Sequence, residues 1–163
     1  MAEINNIISV GISDLKVSTA PNILATYALG SCVGICLLDA KKHIGGLAHI
    51  MLPWSVDAKT NNENTRKYAD TGIKELIDTM LKYGADSSHI NAKIAGGAQM
   101  FQSQLHAFNV GKRNVEAVKK TLATYKIRIV AEDTGLNFGR TVFFDINTGV
   151  MQVKSATNKV VLF

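Results

Sequence analysis

The sequence has few of the residues that build the more specialised classes of protein. Only two of its 163 residues are cysteines, Cys32 and Cys36, which is too few for a disulfide-stapled secreted scaffold. No apolar run approaches the roughly 18 residues expected of a membrane-spanning helix. The N-terminal residues lack the basic start and the apolar core of a signal peptide. These absences predict a cytoplasmic protein with reduced thiols and no insertion into a membrane.

Acidic residues are fewer than basic ones. The chain has 13 Asp and Glu against 18 Lys and Arg, for a formal net charge of +5. Such a charge permits contact with nucleic acid or another acidic surface. The basic residues are scattered, however, in doublets such as Lys41-Lys42, Lys112-Arg113 and Lys119-Lys120. We interpret them mainly as solvated faces and predict no nucleic-acid partner.

The hydrophobic patterning predicts one α+β domain. Hydrophobic residues make up 47% of the chain, and a chain of this length can bury about 70% of its unfolded surface in a single core. Alternating or continuous apolar runs predict strands at 8–12, 15–17, 23–29, 33–38, 44–52, 92–95, 127–131, 140–145 and 150–154. Helical spacing predicts one helix over 65–83 and a second that is capped by Asn114. We expect a single layered domain over residues 1–163, with helices packed on mixed or antiparallel sheet and a C-terminal tail at 155–163.

A Gly-Ser-Cys loop at 30–32 leads into one buried strand, and His49 lies inside the next. The short polar connection between the two strands favours a hairpin. A two-residue turn on Ala40 and Lys41 would place Cys32 directly opposite His49, with their Cβ atoms roughly 4.5–5.5 Å apart. A bulge at Gly45-Gly46 would instead turn His49 to the other face. The first arrangement predicts a paired thiol and imidazole.

Such a pair is typical of nucleophilic catalysis. An unassisted thiol is only a few per cent thiolate at pH 7, so a nearby base matters. Gly30 and Ser31 allow a sharp turn whose backbone N–H groups can hold an oxyanion. We therefore predict Cys32 as the nucleophile, His49 as its base, and Ser31 and Gly30 as the oxyanion site. The alternative is that Cys32 and His49 are ordinary core residues.

The sequence spacing leaves the group that would orient the imidazole undecided. Thr26, upstream of the cysteine loop, can hydrogen-bond to the ring, and the Asn and Asp residues of later loops are alternatives. Cys36 would share a face with Cys32 in an unbroken strand, too far away to form a disulfide. Its apolar neighbours favour a place in the core.

Metal and cofactor sites find little support in the sequence. Cys32, Cys36, His43 and His49 could in principle bind zinc, but their spacing matches no standard structural site, and His43 falls in a turn. The glycines at 96–97 lack the Gly-Lys-Ser/Thr ending of a phosphate loop and the spacing of a dinucleotide fingerprint. We expect neither a metal nor a cofactor.

Short motifs follow one another along the chain. They are Leu29-Gly-Ser-Cys32, Gly45-Gly-Leu-Ala-His49-Ile-Met-Leu-Pro53, Lys67-Tyr-Ala-Asp70, Ala92-Lys-Ile-Ala-Gly-Gly-Ala98, Arg113-Asn114-Val115 and Ala131-Glu-Asp-Thr-Gly135. Taken in this order, they resemble the CheD family of chemoreceptor glutamine deamidases. The likeness extends roughly over residues 7–153, and the joint occurrence of Gly-Ser-Cys and His-Ile-Met-Leu-Pro is its most specific part. One departure is Leu136, where a second glycine is expected after Gly135.

The resemblance implies a cysteine-hydrolase-like deamidase fold and a protein-glutamine glutaminase. Cys32 would be the nucleophile, His49 the base, and Thr26 the third active-site position. The implied substrates are glutamine side chains on the cytoplasmic helical domain of chemoreceptors. They would be converted to glutamate through a Cys thioester, with release of ammonia, during adaptation in bacterial or archaeal chemotaxis. A CheC-type phosphatase is the implied regulatory partner. The alternative is a non-catalytic adaptor that binds the phosphatase or the receptor.

Overall fold

The protein is described here from a computed structural model, which covers residues 6–58, 64–100 and 109–163. Ten strands in these ranges form two five-stranded sheets, accompanied by two α-helices. The first sheet has the order β1 (Ile7–Ser9), β3 (Ile23–Leu29), β8 (Arg140–Asp145), β9 (Met151–Ser155) and β10 (Val160–Leu162). The second sheet has the order β2 (Asp14–Thr19), β5 (Ile44–Ile50), β4 (Val33–Asp39), β6 (Ile90–Gly96) and β7 (Arg128–Thr134). The helices are α1 (Ala69–Lys82) and α2 (Val110–Thr124).

The second sheet is the middle layer of the molecule, and β4 shows why. All seven residues of β4 are buried. Val33, Ile35 and Leu37 pack with the apolar residues of α1 and α2. Cys36 and Leu38 alternate with them and pack with the first sheet. Because β4 is covered on both faces, its sequence is a continuous apolar run. The helices pack on this sheet, so the predicted α+β arrangement is confirmed.

The start of α2 differs from the prediction. The cap is Asn109, whose side-chain oxygen accepts a hydrogen bond from the Lys112 N–H at 3.2 Å. Asn114 is a fully buried residue inside the helix, so its prediction as the cap was wrong. The first turn of the buried face is made by Gly111 and Asn114, which do not read as apolar in the sequence. Periodicity therefore detected only the later turns.

The tail is a strand of the first sheet. Val160–Leu162 pairs antiparallel with β9, and Phe163 and Met151 exchange two backbone hydrogen bonds of 3.0 Å. The Lys93 ammonium donates to the Phe163 carbonyl at 2.8 Å, which links the tail to the second sheet. The apolar end of the tail thus docks on the body of the same chain.

Candidate active site

The β4–β5 hairpin brings Cys32 and His49 to the same side of the second sheet, in a register that differs from the predicted one. Gly34, not Cys32, lies opposite His49. The predicted direct opposition of Cys32 and His49 is therefore wrong by two residues. Because side chains alternate along a strand, an offset of two preserves the face. Cys32, immediately before β4, packs against the core between the two sheets, where the His49 ring also lies.

The turn of the hairpin explains the shift. Asp39 pairs with Ile44, so the connection occupies residues 40–43 instead of two residues. His43 takes a left-handed conformation with φ of 54°, which a histidine adopts only in special turns. The ladder continues without a register change through Gly45 and Gly46, so the bulge considered there does not occur.

A hydrogen bond between the sheets holds the imidazole. The Thr26 hydroxyl on β3 lies 2.7 Å from His49 Nδ1, and it donates to the Val10 carbonyl at 2.8 Å. A hydroxyl has one proton, and a carbonyl can only accept. The Thr26 oxygen must therefore accept from Nδ1–H, which leaves the lone pair of a neutral imidazole on Nε2. Thr26 and His49 are both fully buried.

His49 Nε2 is buried and has no hydrogen-bond partner among the residues that the structure describes. The Cys32 thiol is thus not hydrogen-bonded to the ring in this structure. Catalytic hydrogen bonds are often long before substrate binds and tighten afterwards. The arrangement leaves Nε2 available to accept a proton.

A β-bulge in β3 directs Thr26 to this position. Thr26 pairs with Val142 and Leu29 with Arg140, so β3 carries one more residue than β8 over this interval. Ala28, inside the bulge, has a left-handed φ of 58°. The extra residue lets Thr26 and Leu29 both reach the buried side of the sheet, although they are three residues apart. The alternation of the sequence does not reveal this.

Gly34 allows the two sheets to approach at the imidazole. A Cβ atom at this position would lie 3.2 Å from Leu29 Cδ1 and 3.6 Å from Thr26 Cγ2. Even a Cβ atom would be tight against Leu29 and in contact with Thr26, so a larger side chain would push on the residue that holds the ring. The glycine opposite His49 therefore contributes to the short contact between Thr26 and the imidazole.

The cysteine loop is held by its carbonyl groups. The Gly30 carbonyl accepts from the Ala98 N–H at 2.9 Å, and the Cys32 carbonyl accepts from the Gly97 N–H at 2.8 Å. Between them, the Ser31 carbonyl accepts from Asn114 Nδ2 at 2.9 Å. Three successive carbonyls are thus fixed by neighbouring segments, which orients the loop before any substrate arrives.

The N–H groups of the loop differ from one another. The Gly30 N–H donates to the Ala28 carbonyl at 3.1 Å, so the prediction of Gly30 as an oxyanion donor is corrected, because its proton is already in use. The Ser31 N–H has no acceptor within the described ranges. The Cys32 N–H likewise has no backbone acceptor within the described ranges. Ser31 and Cys32 therefore offer the donors that could face a developing oxyanion.

Burial keeps both reacting groups neutral. Desolvation raises the pKa of the Cys32 thiol, and the Cys32 N–H partly opposes this by stabilising the thiolate. Desolvation also lowers the pKa of His49 to about 4. At neutral pH the site therefore holds a thiol and a neutral imidazole, not a preformed ion pair. The proton has to move when substrate is attacked.

The second cysteine lies elsewhere. Cys36 is in the core between the sheets, as predicted. Burial raises the pKa of its thiol strongly, and the positive charge of Lys93 opposes this only in part. A thiol in such surroundings is inert as a nucleophile.

Two further observations concern metals and membranes. Within 6–58, 64–100 and 109–163, no three His, Cys, Asp or Glu side chains gather as a metal site would require. Neither of the α-helices described has the length and apolar character needed to cross a membrane.

Two contributors to the site were missed in the sequence. One is the Val10 carbonyl, which accepts a hydrogen bond from the Thr26 hydroxyl. The other is Asn114, which bonds to the Ser31 carbonyl and to the Met51 carbonyl, both at 2.9 Å. A polar residue within the apolar spacing of a helix was the available signal for Asn114. The carbonyl gave no signal, since every residue has one.

A half-buried thiol, an imidazole of fixed tautomer and unused backbone donors are the groups that thiol-based acyl transfer uses. A family model described as CheD chemotactic sensory transduction matches residues 51–155, which follow the loop and the histidine. The chain belongs to the CheD family, as its motifs predicted.

Relatives match over almost the whole chain. Proteins from Syntrophomonas wolfei and Oceanobacillus iheyensis are 49% and 44% identical, over 93% and 96% of this chain and 94% and 95% of their own. A Geobacillus kaustophilus protein is 41% identical over 94% of each chain. Each is named probable chemoreceptor glutamine deamidase CheD.

Solved structures show the same fold. A Neisseria meningitidis protein of the family DUF152 superposes with a TM-score of 0.52 at 11% identity, over 81% of this chain and 64% of that one. The Bacillus licheniformis protein YfiH superposes with a TM-score of 0.50 at 16% identity, over 76% and 51%. At these identities the likeness concerns the fold alone.

Proposed function

We propose that this chain is a chemoreceptor glutamine deamidase with Cys32 as nucleophile, His49 as base and Thr26 as the residue that orients the base. The observation that carries the proposal is the buried hydrogen bond from His49 Nδ1–H to the Thr26 hydroxyl, which leaves Nε2 as the basic nitrogen, in the core against which Cys32 also packs. The names of the family relatives support the choice of substrate, a glutamine side chain of a chemoreceptor.

The first half of the reaction forms a thioester. Nε2 of His49 takes the thiol proton while the Cys32 sulfur bonds to the carboxamide carbon, and the carbonyl electron pair moves to oxygen. The N–H groups of Ser31 and Cys32 stabilise this oxyanion. The imidazolium then gives its proton to the nitrogen, the C–N bond breaks, and ammonia leaves, because an unprotonated amide anion is too poor a leaving group.

The second half restores the thiol. His49 takes a proton from water, and the oxygen of that water bonds to the thioester carbon. The C–S bond breaks, the sulfur recovers a proton from the imidazolium, and the former glutamine side chain leaves as glutamate. The Thr26 hydroxyl oxygen accepts a hydrogen bond from Nδ1–H throughout, so the ring does not change tautomer between steps.

The place and the partners of the reaction follow from the family likeness. We propose action in the cytoplasm, on the cytoplasmic helical domain of chemoreceptors, and regulation by a CheC-type phosphatase.

The proposal is tested by peptide-resolved mass spectrometry of a receptor cytoplasmic fragment after incubation with the wild-type protein. Cys32→Ala is the test variant, and Cys36→Ala is its matched control, because both remove one thiol but the Cys36 thiol is fully buried in the core and its pKa is strongly raised. We expect conversion of discrete glutamines by wild type and Cys36→Ala, and none by Cys32→Ala. If folded wild type binds the fragment and converts nothing, the protein is an adaptor instead.

A further inference from the structure

We infer that Asn114 is a positioning residue, whose side-chain amide sets the separation between the Cys32 loop and the strand that carries His49. This inference rests on the proposed deamidase function for its kinetic consequence. Its structural part concerns only the chain itself. Asn114 touches neither the thiol nor the imidazole, so it would act through the backbone of both.

Asn114 lies at a fork between two strands. The last rung of the β4–β5 ladder joins Val33 to Ile50. Beyond it the chains separate, because the N–H groups of Met51 and Leu52 donate to the Lys67 carbonyl at 2.8 and 3.0 Å. The Ser31 and Met51 carbonyls point into the fork and have lost the ladder partners that a longer hairpin would supply.

The amide of Asn114 spans this fork. Its Nδ2 donates to the Ser31 carbonyl and to the Met51 carbonyl, at 2.9 Å in both cases. An amide nitrogen has two protons, and both are used. Since both partners can only accept, the amide cannot be turned the other way. One of the tied residues directly precedes Cys32, and the other follows His49 by two positions.

Asn114 is itself held firmly. It is fully buried on α2. Its helix packs tightly on residues 96–98, the glycine turn that follows β6. A Cβ at Gly111 would lie 2.4 Å from the Ala98 carbonyl, so backbone meets backbone there. Ala98 also donates to the Gly30 carbonyl. The helix, the glycine turn and the cysteine loop therefore form one connected unit.

The remaining amide atom indicates what the side chain contributes. Asn114 Oδ1 is buried and has no partner among the described residues. An unpaired buried acceptor offsets much of what two hydrogen bonds add to stability. The clearer effect of this amide is geometric, since it fixes two backbone segments at one distance. Displacement of reacting groups by about 1 Å can reduce a rate roughly 100-fold.

The test compares Asn114→Leu with Val118→Ala. Leucine has the same number and branching of side-chain heavy atoms and no donors, and Val118 is a buried residue one turn further along the same helix with no polar link to the site. Both variants are assayed on a receptor fragment at temperatures at which they remain folded. We expect kcat of Asn114→Leu to fall roughly 10- to 100-fold with little change in KM, while Val118→Ala keeps the kcat of wild type.

A second readout needs no deamidation. Release of the loop should hydrate the Cys32 thiol, whose pKa burial now raises. Each unit by which that pKa falls gives about tenfold more thiolate at neutral pH. We therefore expect iodoacetamide to alkylate Cys32 faster in Asn114→Leu, even though turnover is slower. Fragment-ion mass spectrometry separates Cys32 from Cys36. Val118→Ala should alkylate like wild type.

The outcomes are distinct. If Asn114→Leu and Val118→Ala match in both kcat and alkylation, the inference is overturned. If wild type deamidates nothing, the proposed function fails, and alkylation alone decides whether Asn114 positions the loop. If Asn114→Leu does not fold, nitrogen-15 NMR of wild type decides. Two protected and separate Nδ2 proton resonances support the inference, and rapid exchange of either with solvent refutes it.

Discussion

Thr26 and His49 belong to different sheets, yet 2.7 Å separates the threonine hydroxyl from the imidazole nitrogen Nδ1. This hydrogen bond lies in the core between the sheets, and the hydroxyl itself donates to the Val10 carbonyl at 2.8 Å. The tautomer of the proposed base therefore depends on how the two sheets are aligned. Packing and chemistry are coupled at this contact.

Replacement of Thr26 should separate the hydroxyl from the shape of the side chain. Thr26→Val keeps the branched shape but leaves Nδ1–H unpaired in the core. The unpaired donor should lower the free energy of unfolding by about 1–3 kcal/mol. We expect kcat for deamidation to fall about 100-fold, since proton transfer by a positioned side chain contributes about 100-fold or more. Thr26→Ser keeps the acceptor and should retain most activity. Equal loss in both variants would contradict an orienting role for the hydroxyl.

The buried imidazole should make stability depend on pH. The pKa of His49 is about 4 in the folded protein, against roughly 6.5 in an unfolded chain. Between these values the unfolded state binds more protons, so stability falls as pH falls from about 6.5 to 4 and is unaffected by this group above that window. Across this window the free energy of unfolding should fall by about 3 kcal/mol.

Urea denaturation at several pH values measures this effect. His49→Gln, which cannot titrate, is the reference, because other groups titrate equally in both proteins. The difference in unfolding free energy between wild type and His49→Gln should change across the window. Parallel curves for the two proteins would show that His49 is not buried as a neutral ring.

Two glycines with positive φ should respond differently to alanine. A Cβ at Gly96 would lie 2.3 Å from the Cys32 carbonyl, whereas one at Gly135 would meet nothing within 4 Å. Gly135→Ala should cost about 1–2 kcal/mol of backbone strain and spare activity. Gly96→Ala should cost about 3 kcal/mol or more and abolish deamidation, because the cysteine loop must move. Similar unfolding free energies for both variants would argue against the contact.

Leu136 should be a strained position. It takes a φ of 60°, where a glycine was expected from the family pattern, and its side chain is 66% exposed. Leu136→Gly removes about 1–2 kcal/mol of strain from the folded state. It also stabilises the unfolded chain by about 0.4–1 kcal/mol, because glycine has more conformational freedom. We expect a net gain of about 0.5–1 kcal/mol in unfolding free energy. Leu136→Ala keeps a Cβ and should gain nothing, so a greater loss with glycine than with alanine would refute the prediction.

The sequence by itself determined the elements and the proposed chemical groups. The continuous apolar runs at β4 and β5 predicted two buried neighbouring strands, because a strand covered on both faces has no polar side. The Gly-Ser-Cys loop ahead of β4 and the histidine within β5 were recognisable as local patterns. The motifs that contain them also identified the family.

Only the tertiary structure decided how these groups meet. The longer turn at 40–43 shifted His49 opposite Gly34, and the bulge before Leu29 brought Thr26 to the imidazole. The sequence also did not reveal that the Gly30 N–H donates to the Ala28 carbonyl. Nor did it reveal that Asn114 donates to the Ser31 and Met51 carbonyls. Periodicity records which side of an element is buried. It does not record the register or the partner, since these depend on the packing of segments that are distant in the chain.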